Sequence, residues 1–210
     1  MRFDIITIFP QMFEKVFDYG VIKRAKDKKV VEINIWDLRE FSEPPHRKVD
    51  DYPYGGGVGM VLKVEPIFKA VKKIRLTQGK VILLSPRGEF FTQKKAKELS
   101  KERQIIFICG RYQGVDERVR KGVADMSISI GNYILGGGEF GAMVIIETIV
   151  RLLPGVVGNY ESILSDSEGK LDPPLYTRPR EFQGMKVPEI LVSGNHKEIE
   201  RWKEERRSEW

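Results

Sequence analysis

A single cysteine, Cys109, in 210 residues rules out an internal disulfide framework, and two histidines with one cysteine give no recognisable zinc spacing. Both absences suit a reducing cytoplasm. No run approaches the roughly 20 apolar residues of a membrane span, and Met1-Arg2-Phe3-Asp4 leads straight into a strand-like run without a signal-peptide pattern. There is no G-x-x-x-x-G-K-S/T loop, so a nucleoside triphosphatase would have nothing to hold its phosphates. Internal repeats and low-complexity tracts are missing as well.

What is present is enough apolar sequence, 41% of residues, to bury the core of one moderate domain with an appendage. The formal net charge of +6 suits a polyanionic partner such as nucleic acid, and equally suits a merely solubilised surface. Short β-rich runs alternate with helical ones. Strands are expected over 3–9, 30–38, 81–84, 104–109 and 126–130, and helices over 10–28, 65–75, 92–101, 115–123 and 142–153. Repeated strand-helix-strand units predict an α/β fold, a parallel sheet covered by helices on both faces. From Gly158 to Pro174 the sequence turns polar and linker-like, and a charged helical segment follows over 197–210.

Two glycine clusters stand out. Ser129 to Glu139 carries Gly131, Gly136, Gly137 and Gly138 between a strand and an apolar helix, and Gly55, Gly56, Gly57 and Gly59 crowd an upstream loop. Glycine lets backbone approach a neighbour or ligand closely, so each cluster calls for a backbone reason. Gly136-x-Gly138-x-x-Gly141 matches a dinucleotide-binding fingerprint, with Glu161 twenty residues beyond Gly141. The match is weak, because the chain after Leu153 enters Pro154-Gly155 instead of a returning strand.

Taken together, the segments Val49 to Val61, Leu84-Ser85-Pro86, Cys109 to Arg118, Ser129 to Glu139, Arg151 to Val156, Tyr176-Thr177-Arg178-Pro179 and Ser193-Gly194-Asn195-His196 are in the order found in bacterial tRNA (guanine-37 N1)-methyltransferases, which the chain resembles. The resemblance implies a SPOUT-type α/β domain with a deep C-terminal trefoil knot, S-adenosylmethionine as methyl donor, tRNA as substrate, a magnesium requirement, and a homodimer whose active site draws on both chains. It also implies a division into a knotted catalytic domain over 1–158, a linker over 159–174 and a partial helical tRNA-binding domain over 175–210. The chain departs from the family pattern at Gln113, Asn132, Gly136 and Gly141, where Glu, Asp, Thr and Pro are usual.

The resemblance also assigns residues. Asp166 is the general base that removes the guanine N1 proton, and Arg151 stabilises charge at O6. A solvated aspartate has a pKa of about 3.9, so burial or concerted transfer has to help the base. Read from sequence alone, Asp166 in Ser165-Asp166-Ser167 is sooner a helix or turn cap, a reading that the resemblance reverses, and Arg151 is also a helix-face partner of Glu147. Main-chain groups of Leu84, Ser85, Pro86, Gly88, Gly110, Arg111, Tyr112, Gln113, Ser129, Ile130, Gly131, Asn132, Tyr133, Ile134 and Leu135 are expected around the cofactor, with Gly137 and Gly138 permitting close approach. The alternative is a set of tight turns ending buried strands. The loop with Asp50, Tyr54, Gly57, Gly59 and Met60 is expected to receive guanine, His46 to contact RNA, and Arg178 and His196 to meet tRNA phosphates; each is otherwise an ordinary surface residue. No protein metal site is expected, and Cys109 reads as a buried strand residue. Two rival functions are a non-enzymatic RNA-binding module and a nicotinamide oxidoreductase built on Gly136, Gly138 and Gly141.

Overall fold

The structure, a computed structural model, describes residues 1–158 and 170–209. The chain divides into two compact units, Met1–Gly158 and Asn159–Trp210.

The first unit is built on the apolar runs. β1 (Arg2–Thr7), β2 (Glu32–Asp37), β5 (Gly79–Phe90), β6 (Gln104–Cys109) and β7 (Met126–Ser129) form a parallel sheet of order β2-β1-β6-β5-β7. A small antiparallel pair, β3 (Asp50–Asp51) and β4 (Val61–Leu62), lies outside it. Alternation along each strand sends side chains to two separate cores. On β6, Ile105, Phe107 and Cys109 join the core under α1 (Gly20–Asp27), α3 (Gln93–Leu99) and α5 (Glu139–Leu152). Ile106 and Ile108 join the opposite core, under α2 (Val64–Ile74), α4 (Glu117–Gly122) and a 3-10 turn at Leu38–Phe41. Each fully buried Ile or Phe contributes about 1.5 to 3 kcal/mol, so both faces of the sheet hold their helices by ordinary apolar burial. Among the described residues, no helix is long and apolar enough to cross a membrane.

Three expectations in the first unit need correction, and in the second the helical segment expected over 197–210 ends at Glu204, with Ser208–Glu209 paired as a strand. The helix expected over 10–28 is a 3-10 turn at Pro10–Phe13 followed, after a break, by α1. Gly20 takes a left-handed φ of 61° where α1 begins, and Phe13 and Phe17 are buried as a stacked pair, so tertiary packing overrides one continuous helix. The strand expected over 81–84 continues to Phe90, because the chain bulges after Leu84 and resumes pairing at Glu89 and Phe90 with Ile128 and Ser129 of β7. The helix expected over 115–123 begins only at Glu117, where the Asp116 carboxylate accepts from the Arg118 amide at 2.9 Å and caps it. Of the linker-like stretch 158–174, residues 159–169 lie outside the described residues.

In the second unit, Glu181–Phe182 pairs antiparallel with Met185–Lys186, and Lys170–Leu171 with Ser208–Glu209. A helix over His196–Glu204 starts on the Asn195 side chain, which accepts from the Glu198 amide at 3.4 Å. The Arg206 guanidinium lies 4.3 Å from the centre of the Trp202 ring, and Tyr176 meets the same ring edge-on.

The bulge in β5 depends on one close approach. A Cβ on Gly88 would lie 2.4 Å from the Ile128 nitrogen, which is backbone and cannot rotate away. Gly88→Ala is therefore expected to destabilise the first unit by about 1 to 3 kcal/mol, read as a lower denaturant midpoint. An unchanged midpoint would contradict the packing of β5 on β7.

Candidate active site

In parallel sheets of this kind, ligands meet the chain where it leaves the carboxyl ends of the strands. Here the segments 85–87, 110–115 and 130–138, after Leu84 of β5, Cys109 of β6 and Ser129 of β7, enclose a cavity of about 480 Å³. That is within the roughly 300 to 1,000 Å³ usual for ligand pockets. Every residue expected around the cofactor lines it except Gly88 and Asn132. Gly88 faces β7, as described above, and Asn132 is exposed. The cavity wall also includes Leu83, Arg87, Gly114, Val115, Glu117, Arg120, Ile128, Gly136 and Gly141. Its character is glycine main chain, aliphatic Leu84, Ile130 and Leu135, and the hydroxyls of Ser85 and Ser129. This wall fits a nucleoside with a polar tail such as S-adenosylmethionine: a flat base between aliphatic groups, and sugar and amino-acid groups against backbone.

The amino end of α5 is seated directly on the sheet. The Gly138 amide donates to the Gly110 carbonyl at 3.0 Å, and a Cβ on Gly138 would lie 2.8 Å from Cys109 Cα. The next residue, Glu139, is a fully buried carboxylate. It accepts from the Thr7 hydroxyl at 2.7 Å and from Arg111 Nε at 2.9 Å. Neither Thr7 nor Glu139 stood out in the sequence as a functional residue; the one available signal was an acidic residue closing a glycine run at the start of an apolar helix.

The second glycine cluster is tied to the first cavity. β3 and β4 close a loop over 52–60, and the Gln113 amide donates to the Met60 carbonyl at 3.0 Å. The Leu62 amide donates to the Gly114 carbonyl, and the Asp116 amide to the Leu62 carbonyl, both at 3.0 Å. Gln113 also packs on Gly59, where a Cβ would come 2.9 Å from its Cγ. Burial, and then the neighbouring Asp50 carboxylate, hold the Tyr112 phenol above its ordinary range. Asp50, Gly59 and Met60 thus sit beside the cavity rim, whereas Tyr54 projects wholly into solvent. Gly57 is exposed in the same loop, and His46 is exposed in the segment leading to β3. The Asp51 carboxylate is held below its usual range by the Tyr52 amide and by Lys48.

Arg151 stands in the last turn of α5, on an exposed face shared with Phe140, Val144 and Glu147. Asp166 lies outside the described residues. Arg178 and His196 are exposed residues of the second unit. Among the described residues, no group of three or more His, Cys, Asp or Glu side chains could hold a metal ion. Nor does any strand follow α5 within the first unit among the described residues, so the glycine fingerprint lacks the returning strand of a dinucleotide fold.

Burial, and secondarily Glu139, push the Cys109 thiol well above its ordinary range. It is expected to resist iodoacetamide in the native protein at mildly alkaline pH and to react after denaturation, as read by mass spectrometry. Rapid native labelling would contradict the seating of Gly138 over this strand.

Comparison with known proteins shows the family. The family described as tRNA (guanine-1)-methyltransferase TrmD matches residues 1–210. The chain is 57% identical over 205 residues to the tRNA (guanine-N(1)-)-methyltransferase of Dictyoglomus turgidum, covering 97% of this chain and 83% of that protein. It is 54% identical over 208 residues to the enzyme of that name from Geobacillus kaustophilus, covering 97% and 85%. With the corresponding Anoxybacillus flavithermus enzyme it shares 53% identity over 217 residues, covering 100% and 89%. The chain belongs to the tRNA (guanine-1)-methyltransferase family.

Proposed function

We propose that this protein transfers a methyl group from S-adenosylmethionine to N1 of guanine 37 in tRNA, beside the anticodon. One observation carries the reading beyond family membership: the loop expected to receive guanine is hydrogen-bonded, through Met60 and Leu62, to the rim of the cavity that fits the methyl donor. Donor and acceptor would meet at a single edge.

S-adenosylmethionine, when bound, supplies an electrophilic methyl group carried on a sulfonium. The chain's own residues must make N1 a nucleophile. At neutral pH that nitrogen holds a proton, and its lone pair becomes available as the ring gains anionic character shared with O6. Asp166 takes the N1 proton, and Arg151 donates hydrogen bonds to O6 as charge gathers there. Main chain at Gly110 to Gln113 and Ile130 to Leu135 holds the donor in place.

The finer features follow the same reading. Arg151 shares an exposed α5 face with Phe140, at 56% exposure, and Val144, at 45%, and covering that apolar surface is a reason for a homodimer with a shared site. The trefoil knot would be threaded by the segment 130–138, which runs from the edge strand β7 back to β6 at Gly110. The domain division is 1–158 for catalysis, 159–174 for a linker carrying Asp166, and 175–210 for tRNA contact through Arg178 and His196. A magnesium requirement belongs to the same reading; the described residues hold no group of three or more candidate ligands, and no step is routed through the ion. The same reading gives the reaction to the cytoplasm, in keeping with the single cysteine.

Incubation with methyl-labelled donor and a tRNA transcript is expected to label RNA only when guanine stands at position 37. Label on both transcripts, or on neither, would overturn the reading. Asp166→Asn is expected to lower single-turnover rates by about 10² to 10⁴-fold with donor affinity retained by calorimetry; full turnover would remove Asp166 as the base. Arg151→Ala is expected to slow the same step about a hundredfold, and an unchanged rate would leave it only a structural part.

A further inference from the structure

Arg111 lines the cavity, yet its guanidinium is turned toward the protein. Nε donates to Glu139 Oε2 at 2.9 Å, Nη2 lies 2.9 Å from the same oxygen, and Nη1 donates to the Gly136 carbonyl at 3.1 Å. Nη2 also meets the Met12 sulfur at 3.0 Å, and the guanidinium carbon lies 4.7 Å from the centre of the Phe9 ring. The rigid fork of arginine is thereby committed on several sides to groups of its own chain. Glu139, at the far end, is fully buried and fixed by Thr7 Oγ1 at 2.7 Å, while the same hydroxyl accepts from the Phe9 amide at 3.0 Å. Three elements are joined in this way: the end of β1, the loop after β6, and the start of α5.

Gly137 supplies an independent observation. A Cβ there would lie 2.1 Å from Arg111 Nε and 2.5 Å from Glu139 Oε2. The glycine is needed because the ion pair passes over its backbone, where the sequence had suggested room for a ligand.

We infer that Arg111, Glu139 and Thr7 form a positioning clamp that holds the Gly136–Gly138 wall of the cavity against the loop after β6, and so sets the geometry in which the methyl donor binds. Arg111 is then a positioning residue whose charge is spent within the protein. A planar, forked cation is required: a lysine keeps the charge beside Glu139 but cannot bridge to the Gly136 carbonyl at the same time. The buried Glu139 carboxylate likewise loses a hydrogen-bond donor if Thr7 gives up its hydroxyl. Main-chain walls transmit such a loss directly, because shifts of the order of 1 Å at a binding site are costly.

The inference rests on the proposed S-adenosylmethionine reading, so wild-type protein is titrated with S-adenosylmethionine first. Failure of wild type to bind would overturn that reading and the clamp's role with it. Given wild-type binding, Arg111→Lys, Gly137→Ala and Thr7→Val are each expected to bind roughly tenfold more weakly, with KM for tRNA unchanged. Thr7→Ser, which restores the hydroxyl, is expected to bind as wild type does. Wild-type affinity in Arg111→Lys and Thr7→Val would overturn the clamp. Equal loss in Thr7→Ser and Thr7→Val would also overturn it, because that pattern follows packing and not the hydrogen bond. Melting temperatures read alongside identify any variant that fails to fold, and Arg111→Lys, altered at a part-exposed side chain, keeps the test decisive in that event.

Discussion

The seating of the α5 amino end on the ends of β5 and β6 is the constraint on which the rest of the site depends. Gly138 touches Cys109 backbone, its amide bonds the Gly110 carbonyl, and Glu139 is carried into full burial beside Thr7. Burying a carboxylate is costly unless it is paired and hydrogen-bonded, and losing one partner of such a pair typically costs about 3 to 5 kcal/mol. Arg111 and Thr7 meet that requirement, and in doing so they fix two of the three cavity walls. The close packing that makes the pocket and the polar network that stiffens it are therefore one arrangement.

From this arrangement the acceptor side follows. The loop after β6 is occupied on its inner side by the clamp, and on its outer side it accepts the β3–β4 loop through Met60, Leu62 and Gln113. The loop that the proposed reading gives to the target guanine is thus hydrogen-bonded to the cavity rim. The Gln113 side chain rests on Gly59 at this junction. Nothing in the structure explains Asn132, which is exposed and lies off the cavity wall.

The sheet was legible because β6 and the early part of β5 are unbroken apolar runs, a pattern that burial on both faces requires. Less legible was the extension of β5, since Pro86 and Gly88 are read as strand breakers and only a tertiary contact with β7 returns the chain to pairing. The broken helix over 10–28 failed for a similar reason: Phe13 and Phe17 answer to the core, not to helical periodicity. Within the site, the loop 130–138 was identifiable from its glycines after a strand and the other two segments through the family resemblance, but the reasons for Gly88, Gly137 and Gly138 were not legible. Each is explained by protein packed against it, a cause that spacing along the chain cannot display. Glu139 is the clearest omission, because a carboxylate at a helix start is ordinarily a solvated charge and its burial appears only when Thr7 and Arg111 are brought to it. Asp166 was named through family resemblance alone.

The central claim is that the two glycine-rich loops bring a methyl donor and one guanine edge together. The most direct measurement is nuclease digestion and mass spectrometry of a tRNA incubated with the protein and S-adenosylmethionine. The account predicts 1-methylguanosine in the fragment that contains position 37 and in no other. A methyl group on another guanine atom, or in a fragment that excludes that position, would contradict it.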